Sequence, residues 1–228
     1  MPITTERGMA VVTGASTGIG FEFARWAAQD GYDLIIAADE AAIHEAAASL
    51  KGLGVSVEAV EVALLNREGV DLLVQSIEAS GSSVDLLMIN AGISVEEGFL
   101  DQEFPEARKI VDNIIVGTVY LVQQVGKMMR SRGQGRILLT GVMPGSSQAL
   151  YSGTNAFISS FASDLREELK DNGITVTCLM PFPPEVESFQ RADPPSKSVG
   201  QTEMDYAAGV ARFGYGAMMN GEGDIVAR

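Results

Sequence analysis

The sequence predicts an α/β fold: a doubly wound parallel sheet with helices on both faces. Two observations carry that prediction. Short apolar runs alternate with longer segments whose apolar residues recur at helical spacing. Strands alternating with helices in this way imply a parallel sheet covered on both faces. The first of them, Ala10-Val11-Val12-Thr13, enters a turn with glycine at 14, 18 and 20, and an amphipathic stretch follows at once (Phe21, Phe23, Ala24, Trp26, Ala27, Ala28).

The remaining elements follow in order. Asp33 to Ala38 reads as a second buried strand, and Asp39 comes directly after it. Glu40 to Leu50 is an alanine-rich helix closed by Gly52 and Gly54. Val55 to Val60 is strand three, and Arg67 to Ala79 a helix with Val70, Leu73, Val74 and Ile77 on one face. Val84 to Ile89 is strand four, ending at Asn90-Ala91-Gly92. Pro105 to about Arg132 is a long helix carrying Ile110, Val111, Ile114, Ile115, Val119 and Val122. Arg136 to Thr140 is strand five. Tyr151 to about Lys170 is a helix with Phe157, Phe161, Leu165 and Leu169 on one side, and Ile174 to Met180 is strand six. The proline-rich segment 181–195 cannot be regular structure. A last helix, about 203–219, precedes a short edge strand at Ile225-Val226-Ala227. No repeat and no linker divides the chain, so residues 1–228 form one domain, with 181–202 as a loop on its substrate side.

Composition narrows the function. Hydrophobic residues make up 46% and charged ones 20%, a soluble globular balance with a core of ordinary size. No apolar run is long enough to span a membrane and there is no signal peptide, so a cytoplasmic chain is expected. A net charge of −14 argues against nucleic acid or an anionic membrane as partner. The single Cys178 sits in an apolar run and reads as a buried structural thiol. The single His44 lies on a surface helix, and no metal site is expected.

The strand-turn-helix is where chemistry concentrates. Glycine admits torsions forbidden to other residues and lets a ligand approach the main chain. The helix points its free amides and positive dipole end at the turn, an arrangement suited to pyrophosphate. Gly14, Ser16, Thr17, Gly18, Ile19 and Gly20 are therefore the candidate dinucleotide cradle, on a Rossmann-type sheet. Asp39, about twenty residues beyond the turn, can accept from a ribose hydroxyl and would repel a 2′-phosphate, which favours NAD over NADP. Its alternative reading is the N-cap of the following helix.

The wording Thr13-Gly14-x-x-x-Gly18-x-Gly20, followed by Asn90-Ala91-Gly92 and by a tyrosine opening a late helix at Tyr151, resembles the short-chain dehydrogenase/reductase family over nearly the whole chain. The resemblance implies NAD(P)-dependent hydride transfer on a small carbonyl or alcohol. It places Asn90, Ala91 and Gly92 beneath the adenosine side of the cofactor, where a purely structural role is the stronger reading. It also implies a catalytic set of tyrosine, a lysine four residues later, a serine on strand five and an asparagine on the long helix.

Against that set the chain departs repeatedly. Tyr151 is present, but position 155 is asparagine. Asn155 can bond a ribose hydroxyl, but it lacks the lysine's charge. A cation about 4 Å away at an effective dielectric of ~20 supplies roughly 4 kcal/mol, about three pKa units, so Tyr151 without it should stay near ~10. The family's serines fall just after Thr140, where this chain has Gly141-Val142-Met143; Thr140 is the best substitute, with Ser146 and Ser147 behind it. The family's asparagine aligns with Ile114, and Asn113, one residue off, should be turned roughly 100° away unless a local bulge intervenes. The family's adenine-binding Asp aligns with Ala63, and Phe182 follows Pro181 where the family has glycine and should crowd the nicotinamide.

The expectation is thus a family member with an incomplete hydride-transfer site, a pseudoenzyme or non-catalytic subunit that binds NAD or no cofactor at all. The alternatives are an atypical oxidoreductase working through Tyr151 and Thr140, and a non-redox catalyst using Tyr151 as a weak acid. Ile115, Tyr120, Phe157 and Phe161 exceed what one sheet face needs to cover. They predict a homodimer or homotetramer, or a heteromer with an intact paralogue, through the long helix and the Tyr151 helix.

Overall fold

A computed structural model describes residues 8–90, 98–142, 149–182 and 199–227. Seven parallel strands, β1 (Met9–Thr13), β2 (Asp33–Ala38), β3 (Val57–Glu61), β4 (Val84–Asn90), β5 (Gly135–Thr140), β6 (Ile174–Pro181) and β7 (Asp224–Ala227), form one sheet in the order β3-β2-β1-β4-β5-β6-β7. The helices between them are α1 (Gly18–Gln29), α2 (Ala42–Lys51), α3 (Arg67–Ala79), α4 (Phe104–Val111), α5 (Thr118–Arg132), α6 (Ala149–Leu169) and α7 (Val199–Asn220). The fold class is as the sequence predicts.

The central strands supply both faces by simple alternation. Ala10 and Val12 of β1, Leu34 and Ile36 of β2, and Leu86 and Met88 of β4 pack under α1, α2 and α7. Their neighbours Val11, Ile35, Leu87 and Ile89 pack under α3, α5 and α6. This double burial is why the strands read as unbroken apolar runs. Strand order reverses between β1 and β4, so the connections leave their carboxyl ends in opposite directions and open a crevice there.

The long helix is not one regular α-helix. Between α4 and α5 the backbone makes a π-helical turn, Asp112–Gly117. One residue is accommodated in excess of the α-helical count, which rotates everything before it relative to everything after it. Gly117 closes the turn where the helix passes the β3–α3 connection; a Cβ on it would stand 1.9 Å from the Leu64 carbonyl oxygen.

Tyr120, expected on an outer face, is satisfied within the subunit. Its hydroxyl donates to Asp71 Oδ1 at 2.7 Å and Arg67 lies 5.8 Å over its ring. Phe157 and Phe161 stack on each other with centroids 5.8 Å apart, and Phe157 remains 37% exposed. Cys178 is buried and His44 is exposed on α2, 3.1 Å from Glu61, as read from the sequence. Among the described residues no cluster of His, Cys, Asp or Glu is fit to hold a metal, and no helix is long and apolar enough to cross a membrane.

The contact at Gly117 generates a paired prediction. Gly117→Ala should cost roughly 1–3 kcal/mol, because backbone stands where the methyl must go. Gly126→Ala, further along α5 where a Cβ meets nothing within 4 Å, should be neutral or stabilise by about 0.5–1 kcal/mol. Urea midpoints for the two variants decide it; equal shifts would remove the packing account of the π-turn.

Candidate active site

The crevice is built first by a backbone crossing. Gly14 leaves β1 with φ 60°, and a Cβ there would stand 2.1 Å from the carbonyl oxygen of Asn90 at the end of β4. Gly20, in the first turn of α1, packs so closely that a Cβ would stand 2.0 Å from the Gly14 carbonyl oxygen. Gly18 differs: its φ is 57°, yet a Cβ would meet nothing within 4 Å, because it faces the open cleft. Asn90 ties the crossing together, its N–H donating to Thr13 Oγ1 at 3.2 Å and its Nδ2 to the Gly14 carbonyl at 3.5 Å. Thr17, the N-cap of α1, makes no side-chain bond to the helix amides, and the first turn carries no acidic residue. By contrast, Asn66 caps α3 by accepting from Gly69 N at 2.9 Å. The cradle thus keeps its amides for an anion and has room for one, so these residues fit a dinucleotide pyrophosphate.

Two adjoining cavities share Gly14, Ala38, Asp39 and Asn90. The larger, about 370 Å³, runs from Ser16, Thr17, Gly18 and Ile19 past Glu40 to Thr140, Gly141, Val142, Tyr151 and Pro181. The smaller, about 70 Å³, lies deeper against Val62, Leu64, Asn113, Gly117 and Thr118. Asp39 therefore faces the cleft, and it is not the N-cap of α2, a place taken by Ala41. Ser16 Oγ donates to the Glu40 carboxylate, a second acidic group at this end that the sequence reading passed over. Its signal was available: Glu40 is adjacent to Asp39 in the same strand-end loop.

One expectation about side-chain direction is corrected. Asn113 lines the deeper cavity, because the π-turn adds the residue that straight-helix counting lacked. Ile114, aligned with the family's asparagine, is buried in the core at 3% exposure. Phe182 is not on the lining of the larger cavity; its N–H donates to Ala227 O at 3.2 Å and its carbonyl accepts from the Tyr206 hydroxyl, while Pro181 takes the cleft position. Ala91, Gly92, Ser146, Ser147 and most of the loop 181–202 lie outside the described residues.

At the other wall, Tyr151 opens toward the cleft from the first turns of α6. Burial pushes its phenol above the ordinary 10.0, and the neighbouring Asn155 amide only partly opposes that. Among the described residues no charged group contributes to the shift. Thr140 lines the same cavity, with a buried Oγ1 that has no partner among the described residues. Asn155 is not on the cavity's lining. It is 3% exposed, accepting from Val142 N at 2.8 Å and donating to the Tyr151 carbonyl at 2.7 Å.

A glycine-rich cradle at the switch point of a parallel sheet, faced by a tyrosine on a later helix, defines a dinucleotide-dependent oxidoreductase architecture. The family model for short chain dehydrogenases matches residues 8–195, and the chain belongs to that family of NAD(P)-dependent oxidoreductases. An uncharacterized oxidoreductase of Myxococcus xanthus is 30% identical over 181 residues, covering 75% of this chain and 70% of that one. A very-long-chain 3-oxoacyl-CoA reductase of Podospora anserina is 33% identical over 184 residues, 76% of this chain but only 54% of the relative. Among solved structures, L-sorbose reductase of Gluconobacter frateurii, complexed with NADPH and L-sorbose, superposes with TM-score 0.82 at 24% identity, covering 97% of this chain and 95% of that chain.

The Tyr151 environment generates a prediction about alkaline stability. A phenol whose folded-state pKa lies above its unfolded value of about 10 stabilises the fold below that pH. The contribution is lost as pH rises through the raised folded value. Tyr151→Phe should flatten that part of the alkaline limb in chemical unfolding as pH rises above about 10. A wild-type Tyr151 titrating below 10 in a difference titration against Tyr151→Phe would contradict the assignment.

Proposed function

We propose that this protein binds a dinucleotide but is impaired in hydride transfer, serving as a pseudoenzyme-like cytoplasmic subunit of its family. The observation that carries the reading is the pairing of a partly buried, uncharged Tyr151 with the buried Asn155 where a cation would have to stand. When bound, the cofactor supplies or accepts the hydride. The chain's own part is then to hold the pyrophosphate on the amides of residues 16–20, to accept from a ribose hydroxyl at Asp39, and to move a proton at Tyr151 Oη. The first two tasks are supported by the open cradle and by the position of Asp39. The third is weakened: a neutral phenol with a raised pKa can donate a proton but is a poor source of phenolate, so carbonyl reduction is the less disfavoured direction.

Asp39, with Glu40 beside it, supports NAD over NADP, because a 2′-phosphate would meet two carboxylates. Titration calorimetry should give tighter binding of NADH than of NADPH, and the reverse order overturns the argument. Loss of about 4 kcal/mol of electrostatic help corresponds to roughly a thousandfold in rate. Steady-state NADH oxidation with ketones, aldehydes and 3-oxoacyl thioesters should accordingly lie about three orders of magnitude below a relative that has the lysine. Robust turnover abolished by Tyr151→Phe would replace this reading with the second one, an atypical oxidoreductase. What favours that second reading is Thr140, whose hydroxyl has no partner among the described residues and shares the cavity with Tyr151.

The half-exposed Phe157 and the exposed Val116, on the outer side of α6 and of the π-turn, support self-association or pairing with an intact paralogue through these helices. Light scattering should find a dimer or larger assembly at micromolar concentration, and a monomer there would count against the proposal.

A further inference from the structure

We propose that Asn155 is a positioning residue: its amide clamps the exit of β5 to the first turn of α6 and so fixes Tyr151 against the cleft. The inference rests on the reading above, that Tyr151 is the cleft's proton-bearing group. It gives Asn155 a role other than holding the cofactor.

Two backbone groups flank the connection between β5 and α6: the Val142 N–H just past the strand and the Tyr151 carbonyl in the helix. One needs an acceptor and the other a donor, and a carboxamide supplies both from one side chain. Asn155 does so with bonds of 2.8 Å to Val142 N and 2.7 Å to Tyr151 O. The Tyr151 carbonyl also accepts from Thr154 Oγ1 at 2.9 Å, so this turn of α6 is held by two side chains. Gly141 makes the clamp possible from the strand side: a Cβ there would stand 3.2 Å from Asn155 Oδ1 and 2.5 Å from Met180 Sδ. At 3% exposure the amide works in a site where an unmade bond is costly.

The clamp also explains why the lysine of other family members is not simply missing here. Lysine only donates. In this seat it would leave the Val142 N–H without its acceptor and bring an ammonium group into a buried position. Asparagine and this strand exit therefore go together, and Asn155→Lys alone does not rebuild a lysine-type site.

The test needs neither cofactor nor turnover, so its failure is distinct from failure of the functional reading. Amide hydrogen exchange of Val142 and the phenol titrations of the tyrosines are followed by NMR in wild type, Asn155→Ala, Asn155→Asp and Asn155→Lys, with Tyr151 assigned by Tyr151→Phe. Val142 exchange should quicken by roughly tenfold or more in the alanine and lysine variants, which lack the acceptor, and stay slow in the aspartate variant, which keeps it. Tyr151 should titrate higher in the alanine and aspartate variants, while Tyr32 and Tyr215, packed at the opposite end of the sheet, titrate as in wild type. General loosening of the fold would move all three. Unchanged Val142 exchange together with unchanged Tyr151 titration in Asn155→Ala overturns the proposal, as does a lysine variant with a fully protected Val142. If Asn155→Ala does not fold, the aspartate variant decides: an unmoved Tyr151 overturns the proposal.

Discussion

Everything at the carboxyl edge of this sheet depends on how closely the backbone at the end of β1 passes that at the end of β4. Gly14 sits against the Asn90 carbonyl at a distance no side chain would permit, and Gly20 sits equally close to the Gly14 carbonyl. Those two approaches bring the first turn of α1 down onto the strand ends, where its amides face the crevice. Asn90 then holds both sides, bonding to Thr13 and Gly14. A larger residue at either glycine would open the crossing and move the helix end, and the cavity shared by Gly14, Asp39 and Asn90 would lose its floor.

The second half of the cleft is built from different elements and obeys a different constraint. Tyr151 and Thr140 come from α6 and β5, on the far side of the switch point from β2 and Asp39. The binding half can therefore retain its geometry while the chemical half changes. Within the chemical half, Asn155 takes on a mechanical task, linking strand exit to helix entrance, in place of an electrostatic one. The balance at Tyr151 follows from magnitudes: burial raises the phenol pKa, a neutral amide offsets part of that, and no charge among the described residues contributes. A neutral hydrogen bond is worth about 1 kcal/mol, against roughly 4 for a nearby cation, so the amide cannot substitute for the field.

The strands, their order of appearance, the glycine cradle and Tyr151 were all legible in the sequence, because each leaves a local mark: an apolar run, a glycine, or an aromatic residue at a helix start. What escaped depends on geometry that periodicity averages away. The π-turn at Asp112–Gly117 adds a single residue, too small a change to disturb the apolar pattern of the long helix, yet enough to bring Asn113 to the deeper cavity. Asp39 read equally well as a ribose acceptor or a helix cap until α2 proved to begin at Ala42. The two bonds of Asn155 required a strand exit and a helix turn to meet, which spacing along one helix does not reveal.

The central claim is that Tyr151 stands without a neighbouring positive charge because an asparagine clamp occupies the place of one. A crystal structure of the complex with NADH tests it most directly. The account predicts that Asn155 keeps its bonds to Val142 and Tyr151, and that no lysine or arginine nitrogen lies within about 4–6 Å of Tyr151 Oη, the range over which a charge controls a neighbouring pKa. A cationic side chain within that distance, with the Asn155 clamp released, would contradict it.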